Sequence, residues 1–187
     1  TLNGDMMTLR SVLKQAKLAW GLNVNLAEFE DAMLGLKHGR KVTPSKQRNR
    51  TTTSDELQQL TNHFYAKYHK RRSVYPMHLV LWLAIYTARR QDELTRMRLD
   101  DYSGDWWLIR DAKNPRGSIG NHINTRVADK AVCVIDALLS DNIRDAMRSN
   151  NRHWDNDLLL PLSGKILSKN FTEACKMLGI SDLRSHD

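Results

Sequence analysis

Cysteine is nearly missing from this 187-residue chain. The two present, Cys133 and Cys175, fall on different predicted helices. Neither sits in a Cys-x-x-Cys or Cys/His cluster, which argues against a disulfide framework and a zinc site. They read as core thiols of a protein in a reducing, cytoplasmic compartment. Long apolar runs are missing too. No stretch approaches the ~18 residues of a membrane helix, so no membrane partner is expected. The opening "TLNGDMMTLR" lacks an apolar signal stretch and an initiator Met, so nothing points to secretion. P-loop and metal-ligand spacings are absent, and no cofactor is expected. There is no internal repeat and no low-complexity tract. The ending "SDLRSHD" follows a predicted helix by a few residues. The expectation is a piece of a longer protein.

What is present is positive charge. Lysine and arginine number 29 against 21 acidic residues, a net +8, while 41% of residues are apolar. That is enough for one buried core, and the basic excess favours polyanion partners, nucleic acid first. Met6, Leu9, Leu13, Ala16 and Trp20 recur at helical spacing. A second, shorter helix is expected over about Leu26 to Leu36. Between Asp31 and Asp55 there is no acidic residue. Arg40, Lys41, Lys46, Arg48 and Arg50 lie there, with Gly39 and Pro44 as helix breakers. This reads as a basic linker able to run along a phosphate backbone.

Beyond the linker, Thr53 and Glu56 have capping-box spacing ahead of the apolar stripe Leu57, Leu60, Phe64 and Tyr68. Pro76 suits a first helical turn, and "MHLVLWLAIYT" is apolar nearly all round, as a central core helix would be. "DWWLIRDAK" and "INTRVAD" read as strands of a hairpin around the turn-rich "NPRGSIGNH". One long helix is expected from "ADKAVCVIDALLSDNIRDAM". Ser168 is a candidate cap for a last helix closed by Gly179. The fold class is mainly α with a small antiparallel β-sheet (α+β).

The core helix runs straight into Arg89 and Arg90. A guanidinium fixed by a nearby Glu93 could clamp a phosphate in bidentate fashion. The stretch "TARRQDEL" resembles the T-G-x-R-x-x-E-L box of the tyrosine recombinases, the phage-type integrases. Thr87, Arg90, Glu93 and Leu94 match, and Ala88 stands where the family has glycine. The "LDD" of Leu99 to Asp101 resembles the family's continuation into its first strand. The resemblance implies that Arg90 binds the scissile phosphate and that Glu93 orders it. It also implies that Lys113, at the end of the first hairpin strand, protonates the departing 5′ oxygen. Arg116 in the same loop is a competitor and a DNA contact, though an always-charged guanidinium is a poor acid. The implied domains are the last helices of a core-binding domain at 1–36, a basic linker at 37–52 and a catalytic domain at 53–187 that is incomplete at its end.

The family's second box, H-x-x-R, has two registers here. His186 and Asp187 can begin it, with the arginine beyond the chain. Alternatively Ser181 stands in the histidine place and Arg184 is the arginine. The first is preferred, because "LR-x-HD" resembles the family's lead-in, and a serine does not titrate as histidine does. The family's nucleophile is a tyrosine beyond this box. Tyr65, Tyr68, Tyr75, Tyr86 and Tyr102 all precede it. The expectation is therefore a site-specific recombinase, bacterial or phage-encoded and nucleoid-associated. It would act on double-stranded DNA through a 3′-phosphotyrosine and self-associate there. The present fragment would bind DNA without cleaving it. The alternatives are a non-catalytic regulatory module derived from an integrase, and an enzyme resembling type IB topoisomerases.

Overall fold

The computed structural model describes residues 2–43, 50–113, 119–149, 151 and 154–184. The chain divides into two compact units, Thr1–Asn49 and Arg50–Asp187. In the first, α1 (Leu2–Leu18) packs on α2 (Leu26–His38). Asn25 starts α2 by accepting the amides of Ala27 and Glu28 at 3.1 and 3.4 Å, satisfying donors the helix leaves open. Arg10 Nε donates to Glu30 Oε1 at 2.6 Å and ties the helices together. Ala16, Met33 and Val42 are buried, while Leu9, Val12 and Trp20 stay exposed. Helix α2 runs two residues past the expected Leu36 and closes at Gly39.

The second unit is built on α3 (Ser54–His69), α4 (Met77–Thr87), α5 (Gln91–Leu94), a 3₁₀ turn at Leu99–Asp101, β1 (Trp106–Ile109), β2 (Ile123–Arg126), α6 (Asp129–Leu139), α7 (Asp141–Ser149) and α8 (Gly164–Leu178). The expected capping box opens α3. The Glu56 amide donates to Thr53 Oγ1 at 3.2 Å, and Glu56 Oε2 accepts from the Thr53 amide at 2.9 Å. Arg50 ion-pairs with the same carboxylate. Its hydrogen bond, then that of the Thr53 amide, holds the Glu56 carboxyl down at about 2. Helix α4 lies against both α3 and α6, and α8 against α3. Leu60 and Phe64 of α3, Leu83 of α4, Ile135 and Leu138 of α6 and Ala174 of α8 meet in one core with Trp107 of β1. Each large apolar side chain buried this way contributes about 1.5–3 kcal/mol. Among the described residues no helix is long and apolar enough to cross a membrane.

The strands pair antiparallel, from Trp106 opposite Arg126 to Ile109 opposite Ile123. The fold is thus mostly helical with a small antiparallel two-stranded sheet, as expected. Four local expectations fail for identifiable reasons. The long helix breaks at Ser140, whose hydroxyl donates to the Ala137 carbonyl at 2.7 Å and whose backbone turns extended; serine competes in this way with the helical ladder. Cys133 is exposed and only Cys175 is buried, because the buried face of α6 is Ala131, Val134, Ile135 and Leu138. Helix α8 starts earlier than expected and is capped by Ser163, while Ser168 donates to Gln91 Oε1 at 2.8 Å. Leu99 to Asp101 form a 3₁₀ turn, with isolated bridges at Arg98 and Tyr102 on either side.

His78, at the start of α4, stands beside Tyr65, Tyr68 and His69. Its Nδ1 is buried without a hydrogen-bond partner among the described residues. Burial first, and the neighbouring His69 second, push it from 6.5 down to about 4. The folded state therefore refuses a proton that the unfolded chain accepts between these values. Stability should fall as pH drops from 6.5 towards 4. Thermal unfolding across that window should show a smaller loss in His78→Phe than in the parent sequence.

Candidate functional site

Helix α4 ends where Thr87 Oγ1 donates back to the Leu83 carbonyl at 2.6 Å. Ala88 then takes the left-handed conformation, φ 49° and ψ 33°, and swings the chain out of the helix. This is why glycine is the more natural residue here: a Cβ costs about 1–2 kcal/mol in that region. Arg90 follows in an extended conformation and heads the short helix α5.

Glu93 is the buried charge of this turn, with 5% of its surface exposed. Its Oε2 accepts the Arg90 amide at 3.2 Å, and its Oε1 accepts Nη1 of the Arg90 guanidinium at 3.3 Å. Arg89 approaches the same carboxylate at 4.0 Å and donates from Nε to the Thr87 carbonyl at 3.0 Å. One buried carboxylate thus orders two guanidinium groups and neutralises one of them. The Arg90 side chain stays 63% exposed and Arg89 only 24%. A guanidinium carries five N–H donors, so Arg90 retains capacity for an incoming oxyanion after bonding Glu93.

Arg90 faces a cleft of about 530 Å³. Arg89 and Arg184 line it as well, with Thr51 and Thr52 from the segment before α3 and Phe171 from α8. Leu183, just before Arg184, is buried and anchors the chain there. Helix α8 is locked to the arginine turn: Gln91 Nε2 donates to the Gly164 carbonyl at 3.3 Å and Gln91 Oε1 accepts from Ser168. A Cβ on Gly164 would lie 2.8 Å from Asp92 Oδ1 and 3.1 Å from Gln91 Nε2, so a larger residue there would push these side-chain ends aside.

Lys113 is exposed, just past the end of β1, and is not among the residues lining the cleft. The connection runs through Arg96, on the turn after α5. Its Nε donates to the Asp92 carbonyl at 3.0 Å, and its Nη1 and Nη2 reach the carbonyls of Arg110 and Asp111 at 3.4 and 3.5 Å. Arg110 in turn grips Asp101 with two bonds of 2.8 and 2.7 Å. Nothing local in the sequence singles out Arg96, because its role depends on two carbonyls fourteen and fifteen residues away.

Of the other candidates, Arg40 and Lys41 are exposed in the first unit, and Arg50 is engaged by Glu56. Lys46, Arg48, Arg116 and His186 lie outside the described residues. Ser181 is exposed. Among the described residues no group of three His, Cys, Asp or Glu is placed to hold a metal ion.

Three variants check this geometry. Ala88→Gly should raise stability by about 1 kcal/mol, since it relieves a left-handed alanine. Glu93→Ala should lower it by about 1–3 kcal/mol, because buried donors lose their acceptor. Arg90→Ala should cost less than Glu93→Ala in the same urea titration, since Arg89 still faces the carboxylate.

No family model and no curated protein sequence matches the chain. Solved structures do. A λ integrase dimer bound to a COC′ core site is similar over 98% of this chain and 62% of its own length, with TM-score 0.54 and 17% identity. A λ integrase tetramer bound to a Holliday junction is similar over 97% of this chain and 48% of its own, with TM-score 0.53 and 16% identity. XerA recombinase, at TM-score 0.49 and 14% identity, is matched over 65% of its length. The chain spans less than two thirds of each of these proteins. The arginine turn, the hairpin and the helix order thus sit in a fold similar to that of the tyrosine recombinases.

Proposed function

We propose that this chain is the DNA-holding and phosphate-activating part of a site-specific tyrosine recombinase. The observation that carries the reading is the buried Glu93 carboxylate that presents Arg90 to a cleft shared with a second arginine, Arg184. In this reading the first unit is the end of a core-binding domain, and the basic stretch from Arg40 to Arg50 follows the phosphate backbone. Arg90 binds the scissile phosphate. A tyrosine of the intact protein gives up its proton and attacks phosphorus, and the bond to the 5′ oxygen breaks. Lys113 delivers a proton to that oxygen, leaving a 3′-phosphotyrosine and a free 5′ hydroxyl. His186 assists from the second box, whose arginine follows it. Arginines fixed before the reaction favour the charge that develops on the phosphoryl oxygens. The phosphotyrosyl bond conserves the energy of the broken one, so neither nucleotide hydrolysis nor a cofactor is needed.

Duplex DNA is the partner, with self-association upon it, and the location is the nucleoid of a bacterial cell. The similar integrases were solved on a core site and on a Holliday junction, which supports a DNA partner. The chain taken alone should bind DNA and leave it uncut. Tyr86, for instance, is stacked on Trp82 at 5.3 Å within α4, a packing position.

Fluorescence anisotropy with this chain and a labelled duplex tests the binding half of the reading. Affinity should fall steeply between about 50 and 200 mM salt, as counterion release requires. Arg90→Ala should weaken binding by about tenfold or more, the loss of a charge-assisted hydrogen bond to phosphate. Salt-independent binding, or none at low salt, would contradict the proposal.

A further inference from the structure

The face on which Lys113 emerges is decided two residues earlier. Strands β1 and β2 keep strict register as far as Ile109 opposite Ile123. The next tie joins Ala112 to Asn121: the Ala112 amide donates to the Asn121 carbonyl, and Asn121 Nδ2 donates to the Ala112 carbonyl, both at 2.8 Å. Between these ties Arg110 and Asp111 stand opposite the single residue His122. That is a one-residue β-bulge. Asp111 occupies the left-handed region at φ 48°, which aspartate tolerates better than most residues. Its amide donates to His122 Nδ1 at 3.2 Å, and its Oδ1 accepts the Gly120 amide at 2.7 Å.

The bulge changes the parity of the strand. Trp107 and Ile109 point to the core. With no interruption, Asp111 and Lys113 would follow them inward and Ala112 would face out. Instead Ala112 is buried, at 3% exposed, and Lys113 is exposed. The bulge is also braced from the arginine turn, because Arg96 bonds the carbonyls of its two residues and the carbonyl of Asp92. The lysine strand and the Arg90 turn therefore share one hydrogen-bonded frame.

We propose that Asp111 is a positioning residue for Lys113: the bulge it forms, braced by Arg96, holds the lysine in a fixed relation to the phosphate bound by Arg90. This inference rests on the recombinase reading of Arg90 and Lys113. In this role Asp111 acts through the strand, by its bonds to His122 and Gly120.

The test is single-turnover cleavage by the intact protein that carries the attacking tyrosine. Two versions of its duplex are compared, one with the ordinary bridging 5′ oxygen and one with sulfur in that position. A thiolate leaves without a proton, so the sulfur substrate bypasses the acid. Asp111→Asn keeps the acceptor and the tolerance of a left-handed backbone and should cleave both like the parent. Asp111→Val keeps neither and should slow oxygen cleavage by about 10- to 100-fold, within the range of a lost general acid. Sulfur cleavage and DNA affinity should be nearly unchanged. Arg96→Gln, a milder surface change, should show a smaller defect of the same selectivity and guards against misfolding of the valine variant. Equal slowing of both substrates, or of neither, in both Asp111→Val and Arg96→Gln would overturn the inference. Lys113→Ala separates the two levels. If sulfur does not rescue it, the general-acid reading fails with everything built on it. If sulfur rescues it but not Asp111→Val and Arg96→Gln, only the positioning role fails.

Discussion

One buried carboxylate organises the candidate site. Glu93 lies almost fully out of water, and an unpaired charge there would be costly. The chain answers with the Arg90 amide, the Arg90 guanidinium and, more distantly, Arg89. This requirement explains much of the local architecture. It fixes the sharp exit from α4 at Ala88 and the extended backbone of Arg90. The turn is then clamped from two sides, by α8 through Gln91 and by the hairpin through Arg96.

The consequence is a rigid cationic edge on a cleft, with its exposed member already oriented. An arginine free to rotate would lose entropy on meeting a phosphate. One held by a buried partner has lost much of that freedom on folding. The same logic extends to Lys113 in its proposed role of general acid. A general acid is useful only near the oxygen it protonates, and a strand end is a precise support only if its register is pinned. The bulge, the Asp101 grip on Arg110 and the Arg96 brace supply that pinning.

Much of this was legible in the sequence wherever the signal was local. Thr53 and Glu56 announced the start of α3, and the spacing Arg90 to Glu93 announced the arginine turn. The Trp, Leu and Ile content of residues 106–109 marked a strand. Local signals failed where two local preferences competed or where the partner was far away. Ser140 lies in an unbroken helical pattern, yet its hydroxyl caps the break. Ser168 looked like a helix cap, but its partner is Gln91, seventy-seven residues upstream. Cys133 was assigned to the core from residue type, although its helical phase puts it outside. Arg96 carries no motif of its own, and Arg184 belongs only to the less favoured register of the second box; the bulge that one braces and the cleft that the other lines exist only in three dimensions. Conversely, Ala88 in place of glycine was visible at once, and its left-handed backbone gives that substitution a physical meaning.

In the proposed function Arg90 belongs to a phosphoryl-transfer site served by a tyrosine of the intact protein. The most direct measurement incubates that protein with a duplex library labelled at either end, then separates the products under denaturing conditions. The account predicts a covalent protein–DNA adduct joined through a 3′ phosphate, a free 5′ hydroxyl on the released strand, and loss of the adduct in Arg90→Ala. A chain that binds duplex DNA but forms no adduct on any member of the library, or forms one through a 5′ phosphate, would contradict it.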